Sequence, residues 1–372
     1  MDGVLIIDKP AGLTSHDVVA QVRRILHERR VGHTGTLDPF ATGVLAILVG
    51  RATRLAQFLS GAEKEYEAVI RLGYATDTGD LTGTRLQGRA SEESASLKAA
   101  THDQPAPEEG VRTERVDEAV RDEGVDEWVR DKGVDEGAGG TPGVPVKTLT
   151  GQINGAFSAE AIESAMTSLL GEIDQVPPMY SAKKHQGRRL YEMARRGEEI
   201  ERQPVRVKIS AFEVMPEGEH LLTQNGDGSC DLAVRVVCSA GTYVRTLAED
   251  FGKRLAVDAH LAALRRTRAG DFAAARSLTL EQLQEKADAG ELTSILIPPD
   301  AALSGMPSVN LSSDDARRAR HGMEVYFAPP HADWPDGQQL RMRSEDGQLI
   351  AIGVFARASR RLHPRVVIGA EK

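Results

Sequence analysis

One carboxylate stands among small residues, threonines and a proline in the stretch His33-Thr34-Gly35-Thr36-Leu37-Asp38-Pro39-Phe40-Ala41-Thr42-Gly43. Pro39 pushes Asp38 out of the α region. Gly35 and Gly43 allow tight backbone paths. A rigid loop of this kind presents one carboxylate at a fixed place, which is how a site is built when one group must be placed accurately. The same Asp-Pro pair also starts ordinary turns, so the stretch alone leaves a structural reading open. Elsewhere, read bare, Tyr66 is core packing in a chain that is only 4% aromatic, Arg245 a surface arginine and Leu264 a core leucine.

The elements that must position these groups can be read from apolar spacing. Val4-Leu5-Ile6-Ile7 predicts a buried strand that ends in the turn Asp8-Lys9-Pro10-Ala11-Gly12. Ser15 is expected to cap a helix carrying Val18, Val19, Val22, Ile25 and Leu26 on one face. That helix ends in Arg23, Arg24, Arg29 and Arg30, which suit either dipole compensation or a nucleic-acid surface. Val44–Val49 predicts a strand directly after the Asp38 loop. Leu55, Phe58 and Leu59 suggest a short helix. Lys64–Leu72 alternates, with Tyr66, Ala68, Ile70 and Leu72 facing inward. Thr76-Asp77-Thr78-Gly79-Asp80 follows as a polar turn.

After a helix expected around Glu160–Leu170, Pro177-Pro178-Met179-Tyr180-Ser181 forms a stiff loop. A basic run with interleaved rings comes next: Lys183, Lys184, His185, Arg188, Arg189, Tyr191, Arg195 and Arg196. That composition suits phosphate contact and base stacking, or a solvated helix face. Leu232, Val234, Val236 and Cys238 alternate as a strand that runs into Gly241-Thr242-Tyr243-Val244-Arg245. Beyond Pro307, a helix at Ser312–Arg320 and short alternating segments suggest a small β-barrel.

In this order and spacing, several motifs resemble the TruB-type tRNA pseudouridine synthases. They are Lys9-Pro10-Ala11-Gly12, the His33–Gly43 stretch, Lys64-Glu65-Tyr66, and Pro177-Pro178-Met179-Tyr180-Ser181-Ala182-Lys183-Lys184. The Thr76-Asp77-Thr78-Gly79-Asp80 turn and the Gly241–Arg245 and His260–Phe272 segments complete the set. Together they cover about residues 4–80 and 148–272. The resemblance implies an α+β catalytic domain, with a mixed, largely antiparallel sheet flanked by helices, and a small C-terminal PUA-like β-barrel. It implies isomerisation of uridine to pseudouridine at position 55 in the T loop of tRNA, with the base flipped out and neither metal nor cofactor required. It implies Asp38 as nucleophile, Arg245 as its charge partner and Tyr66 on the base. Tyr243 and Leu264 then wall the pocket, His33 fills the vacated stack, and Lys9 and Lys184 join the substrate contacts.

The resulting division is a catalytic domain over residues 1–84 and 148–300, an insertion over 85–147, and an RNA-binding domain over 307–372. The insertion is low in complexity, with Val116–Gly124 nearly repeated at Val125–Gly133. Such acidic repeats are expected to stay disordered. Residues 101–140 carry 13 acidic and 5 basic side chains, so they hold nearly all of the chain's net charge of −9. The overall acidity therefore does not exclude a nucleic-acid partner.

No run of about 18 apolar residues predicts a membrane span, and the N-terminus does not read as a signal peptide. Cys230 and Cys238 share one candidate strand, which is neither a disulfide framework nor zinc spacing. A cytoplasmic monomer acting on the tRNA T stem-loop, without membrane or guide RNA, is the expectation. The rival readings are a guide-RNA-dependent synthase and a tRNA chaperone in which Asp38 is only turn chemistry. A phosphate loop at Gly35–Gly43 is disfavoured, because the Gly-Lys-Ser/Thr of a P-loop is missing.

Overall fold

The protein is described by a computed structural model. It covers residues 1–86, 157–181, 201–215, 221–327 and 334–368, together with parts of 152–200. The expected acidic insertion beyond Leu86 lies outside the described residues.

Two strands open the chain's first layer. β1 (Gly3–Lys9) pairs antiparallel with β3 (Thr42–Val49), placing Lys9 opposite Gly43. Both strands are almost continuously apolar because both faces are covered. Leu5, Ile7, Leu45 and Ile47 pack against the apolar stripes of α1 (Ser15–Leu26) and α4 (Leu280–Asp288). Val4, Ile6, Val44 and Ala46 face Phe272 and Ala302 on the other side. The strand thus runs through Asp8 and Lys9, which the sequence had suggested as a turn. Pairing with β3 carries it further than its apolar residues do.

Among the described residues the main sheet has ten strands. Its central path runs β1-β3-β8-β4-β7-β6-β5, with β2 (Val31–His33) also paired to β3. Here β4 is Lys64–Leu72, β5 Gly171–Gln175, β6 Val205–Val214, β7 Cys230–Cys238 and β8 Ala259–Ala269. Along that path only β3 and β8 are parallel. The alternation in β4 is kept. Tyr66, Ala68, Ile70 and Leu72 enter the core beneath α2 (Ala159–Thr167) and α3 (Val244–Arg254). Glu65 and Arg71, on the opposite face, pair with Arg235 and Asp231. Burying Phe251 of α3 completely fixes that helix to the sheet; truncation of such a ring costs about 3–5 kcal/mol.

A second sheet of five strands has the order β9-β11-β12-β13-β10. The strands are β9 (Ser308–Asn310), β10 (Val325–Tyr326), β11 (Gln339–Arg343), β12 (Leu349–Ala356) and β13 (Arg361–Val367). It curls as a half-barrel over α5 (Ser313–Arg320), with Ala316 and Ala319 in its core. This sheet sits on the first layer through Leu349, Ile352 and Ile368, which meet Ala52, Leu55 and Leu303. Arg341 ties it to the connecting segment, donating to the carbonyls of Asp300 and Met306 at 3.0 and 2.8 Å.

Candidate active site

Asp38 lies on the loop between β2 and β3, and its position is held from three sides. Ser15 was expected to cap α1, but Thr14 does so, in a capping box with Asp17. That frees the fully buried Ser15, whose hydroxyl accepts the Leu37 N–H at 2.9 Å and donates to the Leu37 carbonyl at 3.2 Å. Lys9, expected among the substrate contacts, is 0% exposed and is instead a clip behind the loop. Its ammonium donates to the carbonyls of Pro10, Leu13 and Pro39 at 2.8, 2.7 and 3.1 Å. Burial brings its pKa down to about 8, against the opposing pull of Asp38.

The third hold is Gly43. Its φ of +98° is one that side chains resist, and a Cβ there would stand 2.3 Å from the Arg266 carbonyl oxygen. Gly35 was expected to use the same freedom. It does not: its φ is not positive, and a Cβ would meet Arg266 at an ordinary 3.6 Å.

Arg245 comes from the first turn of α3 and is 4% exposed. It grips Asp38 with two nitrogens, Nε to Oδ2 at 3.0 Å and Nη2 to Oδ1 at 3.3 Å. Such a two-point pair fixes direction as well as charge. Its other contacts fix the guanidinium itself. Nη1 donates to the Thr78 carbonyl at 2.8 Å and stands 3.6 Å from Asp80, while Nη2 donates to the Tyr180 carbonyl at 2.7 Å. Asp80 is buried and already accepts from Thr78 and Thr82. Asp80 ends the Thr76–Asp80 turn, a motif of the resemblance that gave this residue no role; its place beside Arg245 arises when the turn closes on Leu261 of β8. Burial pushes the Asp38 carboxyl above the usual carboxylate range. Arg245 works against that shift and Asp80 adds to it.

These groups border a cavity of about 430 Å³, a size that admits a nucleoside-like ligand. Asp38, Tyr66, Arg245, His33, Tyr243 and Leu264 all line it, so six of the eight expected residues meet there. Tyr66 is buried, and burial raises its phenol. Gln175 braces the Tyr243 backbone, accepting its N–H at 3.0 Å and donating to its carbonyl at 3.3 Å.

His33 stands edge-on to His16, with ring centroids 5.5 Å apart. Burial first, then the charges of His16 and Arg266, hold the His33 imidazole below the usual histidine range, so the ring is neutral near pH 7. Lys184 belongs to a two-residue hairpin with Arg189. Its side chain, and much of the basic run after it, lie outside the described residues. Lys64 and Arg266 also line the cavity; both lie in motifs of the resemblance but were not among the expected site residues.

Residues 23–105 and 145–244 match the TruB family pseudouridylate synthase N-terminal domain. Residues 245–304 match the tRNA pseudouridylate synthase B C-terminal domain, and 307–368 the C-terminal domain of pseudouridine synthase II TruB. The chain belongs to the TruB family.

The family match skips residues 106–144, the heart of the acidic stretch. The tRNA pseudouridine synthase B of Geobacillus thermodenitrificans is 37% identical over 322 residues, 87% of this chain and 85% of that protein. The enzyme of that name from Ralstonia nicotianae is 36% identical over 356 residues, 95% and 90% of the two chains. Among solved structures, a Cbf5-Nop10-Gar1 complex shares this TruB-type fold. Its TM-score is 0.61 at 24% identity, covering 99% of this chain and 85% of that one. An H/ACA RNP bound to a substrate RNA containing 2′-deoxyuridine gives 0.60 at 22% identity, covering 98% and 84%. No helix among the described residues is long and apolar enough to cross a membrane.

Proposed function

We propose that this TruB-family chain isomerises uridine to pseudouridine at position 55 in the T loop of tRNA, working alone as a monomer. The observation that carries the reading is the two-point grip of Arg245 on Asp38 at the edge of the cavity. The relatives named above support the choice of tRNA. In this reading the target base leaves its stack and enters the cavity. The neutral His33 ring occupies the space vacated. Asp38 attacks C1′ of the ribose, or takes up the glycal that elimination would form, and the C1′–N1 bond breaks. The base turns and rejoins the sugar through C5.

Arg245 keeps Asp38 aimed and charged against the cost of its burial. Tyr66 lies against the base, and Tyr243 and Leu264 exclude water that would hydrolyse the intermediate. The chemistry calls for no redox change, metal or cofactor. Residues 1–84 and 148–300 form the catalytic unit, with 307–372 as a PUA-like RNA-binding module and Lys184 as a phosphate contact.

Release of tritium from C5 of uridine in tRNA tests this, with purified protein alone and Asp38→Asn beside it. Release by the wild type and none by the variant is expected. No release from either, with tRNA still bound, would favour a guide-RNA-dependent enzyme or a chaperone. The first of these is raised by the fold shared with the H/ACA particles.

A further inference from the structure

Arg266 is 2% exposed, and among the described residues no carboxylate lies within ion-pair distance of it. The acceptors it meets are neutral: Nε donates to the Val44 carbonyl at 2.7 Å and Nη2 to the Gly35 carbonyl at 3.1 Å. The charged groups around it are mostly of its own sign. Lys9 of β1, His33 of β2 and Lys64 of β4 are each made harder to protonate by its charge. A buried cation in such company is costly unless some anion compensates it. Asp38 is already paired with Arg245. Arg266 does, however, stand directly opposite Tyr66 in the β8–β4 register, and both line the cavity. Its charge favours the Tyr66 phenolate, against burial, the Asp38 carboxylate and Cys238.

We propose that Arg266 is a positioning residue that holds the Tyr66 oxygen and stabilises the negative charge it carries while hydrogen moves from C5 to N1 of the rejoined base. This rests on the reading above that Tyr66 lies against the base. Once C5 is bonded to C1′, the base has a C6=N1 double bond and a hydrogen still on C5. Tyr66 gives its phenolic proton to N1 and becomes a phenolate beside Arg266. The phenolate then takes the C5 proton. The C5–H electron pair forms the C5=C6 double bond, and the C6=N1 π pair returns to nitrogen. The phenol is regenerated, and nothing is oxidised or reduced.

The test is single-turnover isomerisation by the full chain of tRNA carrying protium or deuterium at C5 of its uridines. Arg266→Gln is expected to slow the reaction about 100-fold, the scale for losing one preorganised donor, and to enlarge the C5 deuterium isotope effect. Arg266→Lys should recover much of the rate, and it carries the same measurement should the glutamine variant not fold. Combined with Tyr66→Phe, Arg266→Gln should add no further loss.

A slower rate with an unchanged isotope effect overturns the proposal. If tRNA binding and its salt slope fall in parallel, the compensating anion is an RNA phosphate; if only the melting temperature falls, the role is structural. Wild-type kinetics in Tyr66→Phe would instead refute the Tyr66 reading itself. A slow Tyr66→Phe beside a wild-type-like Arg266→Gln refutes the role of Arg266 alone.

Discussion

Replacing Arg245 with methionine would keep the bulk of the side chain and remove its charge. Two carboxylates would then lose their partner, Asp38 at 3.0 Å and Asp80 at 3.6 Å. Asp80 is 4% exposed, and removing one member of a buried pair costs about 3–5 kcal/mol. The Asp38 side chain is 35% exposed in the cavity, so water offsets part of its loss and the lower end of that range applies. The chemical step should slow by about 10²–10³-fold, as when one preorganised charge-assisted contact is deleted. Binding of tRNA should change far less, because Arg245 lies in the cavity wall with its N–H groups turned to the loop, Thr78 and Tyr180.

The pH profile supplies an independent sign. In the proposed mechanism Asp38 acts as the carboxylate, and burial already raises its pKa. Activity is therefore lost as pH falls through that raised value. Arg245 opposes the rise, so the variant should lose activity at a higher pH than the wild type and regain some of it on the alkaline side. Single-turnover rates across pH, with a filter-binding Kd at each point, measure both. An equal loss in rate and Kd, or an acid limb that does not move, would refute the pairing argument.

Gly43→Ala should lower the melting temperature sharply, because a Cβ 2.3 Å from the Arg266 carbonyl must part β3 from β8; an unchanged melting curve would contradict the register. His33 should titrate below the ordinary histidine range by NMR, and His16→Gln should move it upward by removing one repelling charge; a normal value in the wild type would refute the neutral ring. Lys184→Ala should weaken tRNA binding and reduce the salt slope by about one; an unchanged slope would remove it from the interface. Deleting residues 90–145 should leave melting and activity near those of the full chain, and a collapsed transition would show that the stretch is not an insertion.

Much of this site was legible because its residues carry local signals. Alternation in Lys64–Leu72 placed Tyr66 on the inward face, and burial beneath α3 bears that out. The Asp-Pro pair between two glycines marked a shaped loop. The spaced motifs identified the family, and with it the company Asp38 would keep. Asp80 and Arg266 fall inside motifs of that resemblance, but neither was given a role. One looks like turn chemistry, the other like one arginine among several in Arg265-Arg266-Thr267-Arg268. Lys9 shows the reverse. The resemblance put it among the substrate contacts, yet the β1–β3 pairing draws it inward, where three carbonyls satisfy it. Local pattern determines which face of an element is apolar and where the chain must bend. It does not determine which distant carbonyl or carboxylate a buried cation meets. That is decided when β8 inserts between β3 and β4, bringing the loop, the turn and the helix end to one cavity.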